Sequence, residues 1–110
     1  MPAPSNLQAL PKDISSESLR SLMRAYSGQL GIGCGYCHAP SASGHGLDFA
    51  SDAKREKVIA RAMILMTADI NAKYLAAALP NEKPMTVDCG TCHRGHAEPE
   101  PFVPPPHEGH

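Results

Sequence analysis

Apolar residues recur at helical spacing in two long segments of the chain, and the first segment has clear boundaries. Ser15 and Ser16 offer hydroxyl groups that cap a helix start, and Glu17 places an acid in its first turn. Gly31 and Gly33 favour the end of this helix, because glycine readily adopts the left-handed conformation found there. The predicted apolar face carries Leu19, Leu22, Met23, Tyr26 and Leu30.

A second and longer helix is predicted in the middle of the chain. Ser51 or Asp52 would cap its start, and it would end before Pro80, which has no N–H group to continue the helical hydrogen bonds. Because both segments have helical rather than alternating periodicity, the predicted fold class is mainly α, with no substantial sheet. The apolar face of the second helix carries Ile59, Met63, Met66, Ile70 and Tyr74.

The segments outside the helices are rich in proline, glycine and polar residues. Residues 1–13 are predicted to form an extended lead-in, residues 39–51 a loop, and residues 97–110 a proline-rich tail of polyproline-like conformation. At 110 residues, the chain is expected to form a single domain, 1–110. A compact domain of this length has a radius of gyration of about 13 Å.

One short pattern occurs twice and contains all four cysteines of the chain: CGYCH at 34–38 and CGTCH at 89–93. Two cysteines separated by two residues and followed at once by histidine are typical of covalent attachment of c-type haem. The two thiols reach the two vinyl groups on one porphyrin edge, and the histidine then lies under the ring, where it can bind iron. The sequence therefore predicts two haem c groups, linked through Cys34/Cys37 and Cys89/Cys92, with His38 and His93 as proximal iron ligands.

Other uses of paired cysteines explain this pattern less well. A four-cysteine zinc site usually places its pairs about 15–20 residues apart, whereas 51 residues separate Cys37 from Cys89. A thioredoxin-like redox motif requires a βαβ pattern, which the chain lacks. Neither zinc nor two structural disulfides would account for a histidine after each pair.

Composition and charge limit the remaining function classes. With no Trp, two Phe and three Tyr, the chain has few large side chains to fill a core, so the haems are expected to supply much of its apolar mass. A formal net charge of −1 without a basic run makes nucleic acid an unfavourable partner, and no apolar run is long enough to span a membrane. Because c-type haem is attached outside the bacterial cytoplasm, we expect a periplasmic or extracellular protein, although the given chain shows no export signal.

The sixth iron ligand decides the chemistry of such a site. A Met or His there saturates the iron and favours electron transfer, whereas an open position permits ligand binding or peroxide chemistry. Met23 on the first helix, and Met63 or Met66 on the second, are candidates, although methionine on an apolar face is more often a core residue. The alternative ligands in loops and in the tail are His45, His96, His107 and His110.

Three stretches of the chain resemble a known family: LMRAYSGQLGIGCGYCH at 22–38, ARAMILMTADINAKYL at 60–75 and VDCGTCHRGHAEP at 87–99. They are similar to the tetrahaem cytochrome c subunit of photosynthetic reaction centres, of which this chain resembles a half-length, di-haem relative. The resemblance implies two helix–loop–CxxCH units, each with a helix across one haem face that supplies a distal methionine. It thus implies Met23 as the ligand of the first haem and Met63 as that of the second, with Met66 in packing.

The chain also departs from that family. It has only two haem motifs, and Ala77 occupies the position where some members offer a histidine to another haem. Arg94 follows the second motif as it does in the family, and it is predicted to contact a haem propionate through a charge-assisted bond. The alternative for Arg94 is an ordinary solvated arginine.

These observations predict an exported electron carrier, not an enzyme, with two six-coordinate His/Met haems and redox proteins as donors and acceptors. One alternative is a subunit of a polymeric, conducting multihaem filament, in which the proline-rich tail mediates self-association. Another is a small haem peroxidase or gas-binding protein with an open iron site.

Overall fold

The computed structural model describes residues 4–81 and 85–106 and is mostly helical, which confirms the mainly α prediction. A 3-10 turn at Cys34–Tyr36 begins the first CxxCH motif, and a π-helical segment at Ile70–Leu75 continues the second long helix. The α-helices are α1 (Ser16–Leu30), α2 (Arg55–Asp69), α3 (Ala76–Ala78) and α4 (Cys89–His93).

Both ends of α1 agree with the sequence prediction. The Ser15 hydroxyl oxygen accepts a 3.0 Å hydrogen bond from the Ser18 N–H, which caps the start of the helix. Gly31 adopts the left-handed conformation with φ of 65°, and its N–H group donates to the Ser27 carbonyl. The chain then reaches Cys34 within three residues, so this glycine positions the first motif at the end of α1.

The start of α2 differs from the prediction that Ser51 or Asp52 caps it. The helix begins at Arg55, and Lys54 occupies the cap position without a capping hydrogen bond between its side chain and the first turn of the helix. The Ser51 hydroxyl accepts instead from the Ala53 N–H at 3.1 Å, within the preceding turn. The predicted cap was wrong because both side chains are engaged elsewhere.

The Asp52 carboxylate ties the lead-in to α2. Its Oδ1 atom lies 2.9 Å from the Arg61 guanidinium and 3.5 Å from the Lys57 ammonium, and it accepts a 2.8 Å bond from the Asn6 amide. Arg61 also donates to the Asn6 carbonyl at 3.0 Å. Hydrogen bonds from Arg61 and then Asn6 lower the pKa of Asp52 to about 2. This network fixes the lead-in across the first turns of α2.

The π-helical segment changes which residues share the apolar face of the second helix. Its backbone bonds span five residues rather than four, so a side chain four positions after Ile70 no longer lies on the same face. Tyr74 is accordingly 68% exposed, whereas Leu75 is half-buried. The prediction that Tyr74 belongs to the apolar face was therefore wrong, although the helix ends before Pro80 as expected.

The predicted loop at 39–51 contains a short antiparallel ladder of two residues per strand. Strand β1 (Ala39–Pro40) pairs with β2 (Leu47–Asp48), with Ala39 opposite Asp48 and Pro40 opposite Leu47. Gly44 and Gly46 turn the chain between the strands with positive φ angles of 81° and 70°. The ladder is too short to change the fold class.

The polypeptide buries little of itself. Leu19, which is 6% exposed, is the one buried residue in the described ranges. The radius of gyration is 17.2 Å and the longest dimension 63 Å, so the expectation of about 13 Å for a compact domain was wrong. Residues 98–106, all exposed, extend from the helices instead of joining a core. No helix of the described part has the length and apolar character needed to cross a membrane.

The Asp52 network predicts how acid affects stability. Because the folded pKa of Asp52 is about 2, below its ordinary 3.8, its stabilising effect is present above about pH 4 and is lost as the pH falls towards 2. We therefore expect Asp52→Asn to lower the unfolding midpoint in urea at pH 7, with the difference from wild type vanishing near pH 2. Asp69→Asn, which removes only an exposed pair with Lys73, is the control. Equal midpoints for Asp52→Asn and wild type at pH 7 would contradict this role.

Candidate functional site

One cavity of about 1250 Å³ lies between the lead-in, α1, α2 and the two CxxCH motifs. This volume exceeds the range of about 300–1,000 Å³ that is typical of a pocket for one small molecule. The predicted site residues in its wall are Met23, Cys34, Cys37, His38, Met63, Met66, Cys89, Cys92 and His93. The fold therefore gathers every predicted haem-attachment cysteine, proximal histidine and candidate methionine around the same space.

The first motif is held by the segment that leads into α2. The Lys54 ammonium donates to the Gly35 carbonyl at 2.7 Å, which anchors the 3-10 turn between the two cysteines. The Phe49 ring meets the His38 imidazole edge to face, with ring centroids 5.1 Å apart and an interplanar angle of 72°. These contacts fix the orientation of His38 at the cavity wall.

The environment of His38 suits a neutral, metal-binding imidazole. Burial lowers the pKa of His38, and the Lys57 ammonium lowers it further, while the backbone of Phe49 opposes this shift. The buried Nδ1 atom of His38 has no hydrogen-bond partner within the described residues. The neutral ring retains the lone pair that a metal ligand needs.

The second motif forms its own short helix, α4. Asp88 caps this helix, because its carboxylate accepts the Thr91 N–H at 3.1 Å, and the Thr91 hydroxyl in return accepts the Asp88 N–H at 3.0 Å. Sequence reasoning gave Thr91 no particular role between the cysteines. An aspartate directly before the motif and a threonine three residues later were the signal for this reciprocal cap.

His93 has the hydrogen bond that is typical of a metal-binding histidine. Its Nδ1 atom lies 3.0 Å from the His96 carbonyl oxygen, which can only accept a proton. The tautomer that satisfies this bond carries its hydrogen on Nδ1 and leaves the Nε2 lone pair for a metal. The donor sets of both motifs therefore fit a haem iron.

The four cysteines are thiols arranged as two separate pairs. Burial raises the pKa of Cys37, with Glu56 adding to the effect and Lys54 opposing it, and burial likewise raises the pKa of Cys89. None of the four forms a disulfide, and no three metal-binding side chains gather as a cluster in residues 4–81 or 85–106. The two thiols of each pair match the two-point attachment predicted for haem c.

The candidate distal methionines come from two different helices. Met23 of α1 lies in the cavity wall, and so do both Met63 and Met66 of α2. The Thr67 hydroxyl donates to the Met63 carbonyl at 2.8 Å, within the same helix. Because residues three apart share a helix face, the cavity wall accommodates either methionine of α2.

The candidate loop histidines lie away from this cavity. His45 and His96 are exposed and do not form part of its wall, and the His96 ring is 3.7 Å from the Glu100 carboxylate. His107 and His110 lie outside the described residues. The arrangement favours methionine over His45 or His96 as the distal ligand.

Arg94 points to the tail rather than to the cavity. It adopts a left-handed conformation with φ of 52°, and its guanidinium donates to the Glu100 carbonyl at 3.0 Å. Its contact with a haem propionate stays a prediction.

Other positively charged side chains do line the cavity, and the sequence analysis did not predict them. Arg20 and Arg24 flank Met23 on α1, and their closeness to Met23 was visible in the sequence. The cavity-lining cations are Arg20, Arg24, Arg55, Lys57 and Arg61.

The end of α1 also packs against the second motif. The Gly95 N–H, two residues after His93, donates to the Gln29 carbonyl at 2.8 Å. A side chain at Gly31 would meet the Gly95 carbonyl directly, so this approach requires glycine. Tyr26 of α1 also senses the second motif: burial and, to a lesser extent, the Cys89 thiol of that motif raise the pKa of Tyr26 to about 12. Helix α1 therefore leads into the first motif and supports the second.

This junction predicts opposite effects for two glycine substitutions, one within α1 and one at its C-terminal cap. Gly31→Ala forces a side chain into a left-handed position, which costs about 1–2 kcal/mol, and also against the Gly95 carbonyl. Gly28→Ala is the matched control, because an added methyl group there meets nothing within 4 Å and should stabilise the helix by about 0.5–1 kcal/mol. Urea unfolding of the two variants measures the difference. If Gly31→Ala is as stable as wild type, the close approach of α1 and Gly95 is wrong.

Comparison with known proteins agrees with this geometry. The family model described as photosynthetic reaction centre cytochrome c subunit matches residues 5–103. Cytochrome c-554 of Chloroflexus aurantiacus is 40% identical over 81 residues, which are 73% of this chain and 18% of that protein.

Two further relatives bear the name photosynthetic reaction center cytochrome c subunit. The one from Rubrivivax gelatinosus is 34% identical over 68 residues, or 62% of this chain and 16% of that protein. The one from Roseobacter denitrificans is 33% identical over 96 residues, which are 86% of this chain and 24% of that protein. The chain thus spans less than a quarter of these relatives, rather than the half that the sequence suggested. It belongs to the photosynthetic reaction centre cytochrome c subunit family.

Proposed function

We propose that this chain is an exported di-haem c-type cytochrome that carries electrons between redox proteins outside the cytoplasm. The observation that carries the proposal is the single cavity lined by both CxxCH motifs and by the methionines of α1 and α2. Its volume of about 1250 Å³ is above that of an ordinary single-ligand pocket of about 300–1,000 Å³. Family membership supports the same conclusion, since the matching relatives are named as c-type cytochromes.

Each motif would hold one haem by three side chains. Cys34 and Cys37 would form thioethers with the first group and His38 would bind its iron, while the same residue types at 89–93 would serve the second. When bound, each haem supplies an iron that cycles between ferrous and ferric states. The apolar walls contributed by α1 and α2 would exclude water from the rings and thereby help to set their potentials.

A distal methionine would leave no open coordination position on either iron. Met23 of α1 would bind the first iron together with His38, and Met63 of α2 would bind the second together with His93. A thioether opposite histidine raises the potential of the iron relative to a second histidine. Because both positions on each iron are then occupied by protein, the site favours electron transfer over peroxide or gas chemistry.

The assignment predicts how single methionine variants change the spectrum and potential. Met23→Ala and Met63→Ala should each lower one of two midpoint potentials and let the corresponding ferrous iron bind carbon monoxide. A redox titration followed by visible spectroscopy measures both effects. Met66→Ala tests the neighbouring methionine, and Met85→Ala, which removes an exposed side chain outside the cavity wall, is the control.

The outcomes separate the alternatives. Carbon monoxide binding by the reduced wild-type protein would favour a small haem peroxidase or gas-binding protein instead. A change on Met66→Ala with none on Met63→Ala would transfer the ligand role to Met66. No spectral change in any of the methionine variants would contradict methionine ligation altogether.

A second candidate function, as a subunit of a polymeric multihaem filament, draws support from the tail. Phe102 and Val103 are 74% and 83% exposed in an extended segment, where a neighbouring copy of the chain could cover them. Size-exclusion chromatography of the haem-loaded protein at increasing concentration tests this reading. Assemblies that dissociate on Phe102→Ser support self-association through the tail, and a monomer at every concentration would contradict it.

A further inference from the structure

A single asparagine ties the second long helix to the chain just before the second motif. The Asn71 amide nitrogen donates to the Val87 carbonyl at 2.9 Å, and the Asn71 carbonyl oxygen accepts the Val87 N–H at 2.7 Å. The two polar atoms of the Asn71 side chain thus pair with the N–H and C=O groups of one backbone residue. A neighbouring β-strand would satisfy the same two groups. The contact is partly buried and joins residues 16 positions apart.

The two residues of this contact have distinct positions in the fold. Val87 directly precedes Asp88, which caps α4, so fixing Val87 fixes where the helix of Cys89–His93 begins. Asn71 lies within the π-helical segment that continues α2, and α2 carries Met63 and Met66. A continuous helix therefore runs from the candidate distal ligands to the bond that positions the proximal ligand.

The π-helical segment coincides with this contact. Such segments are rare and appear mostly as single turns inside α-helices, frequently at functional sites. Here the segment begins one residue before Asn71. The helix thus departs from regular geometry at the point where its side chain reaches Val87.

We propose that Asn71 is a positioning residue for the second haem: it fixes α4 relative to α2, and so sets the distance and angle between His93 and the distal methionine. This inference rests on the proposed di-haem function. An asparagine that only stabilised the fold would affect both haems equally or neither. A positioning residue affects the potential of one haem, because the strength of the iron–ligand bonds helps to set that potential.

The test compares two identical substitutions in the haem-loaded protein. Asn71→Leu replaces the polar amide by an apolar group of similar size and so removes both hydrogen bonds to Val87. Asn81→Leu makes the same change at an exposed position in the turn after α3 and is the matched control. The midpoint potentials are measured by optical redox titration, the haem count by mass spectrometry, and backbone amide exchange by deuterium labelling.

We expect Asn71→Leu to shift one midpoint potential while the other stays at its wild-type value, and to speed exchange at Val87 and α4 but not at α1. Loss of the second haem alone would support the same conclusion. Unchanged potentials, or equal shifts of both, would overturn it. If Asn71→Leu fails to accumulate, Asn71→Ala, which adds no bulk, is judged by the same criteria.

The experiment separates this inference from the function on which it rests. A wild-type protein that carries fewer than two haems would refute the proposed function, whatever the variants do. A wild-type protein with two haems, together with an Asn71→Leu variant that behaves like Asn81→Leu, would refute only the role of Asn71.

Discussion

The burial of apolar surface around one shared cavity is the constraint on which this structure depends. A chain of 110 residues without tryptophan cannot build a large core from its own side chains, and Leu19 is the one buried residue of the described part. The apolar faces of α1 and α2 instead line a cavity of about 1250 Å³. In the proposed function, two haems cover these faces, so attachment of the cofactor and stability of the fold become one event.

Polar contacts place the walls of that cavity with respect to one another. Asp52 joins the lead-in to α2, Lys54 joins the first motif to the start of α2, and the Gly95 N–H joins the second motif to α1. Asn71 completes the set by fixing the entry to α4. Because each contact links segments far apart in sequence, the two motifs are positioned by a shared framework. Such a framework would keep two haems in a fixed relation, which suits transfer of electrons between them.

Local signals in the sequence were sufficient for part of this arrangement. The cap at Ser15, the glycine at 31 and the apolar spacing between them predicted α1 correctly, because each acts within one or two helical turns. The cap of α2 was missed because Asp52 is engaged by Arg61, Lys57 and Asn6, and no periodic pattern reveals such long-range contacts. Tyr74 was misplaced for a related reason, since the π-helical turn changes the period on which the prediction relied.

The candidate site was predictable to a similar degree. The CxxCH spacing identified the cysteines and proximal histidines, and the resemblance to the family added Met23 and Met63. The spacing of three residues between Asp88 and Thr91 also indicated the capping role of Thr91, which the prediction lacked. The bond between Asn71 and Val87 joins residues that only the folded chain brings together, so no local rule could indicate it.

Intact-mass measurement of the isolated protein after denaturation and thiol alkylation tests the central claim most directly, because it reports covalent attachment without reference to spectrum or activity. We predict a mass equal to the polypeptide plus two haems, with no cysteine alkylated, since all four would be thioethers. A mass without haem and with Cys34, Cys37, Cys89 and Cys92 alkylated would contradict the account.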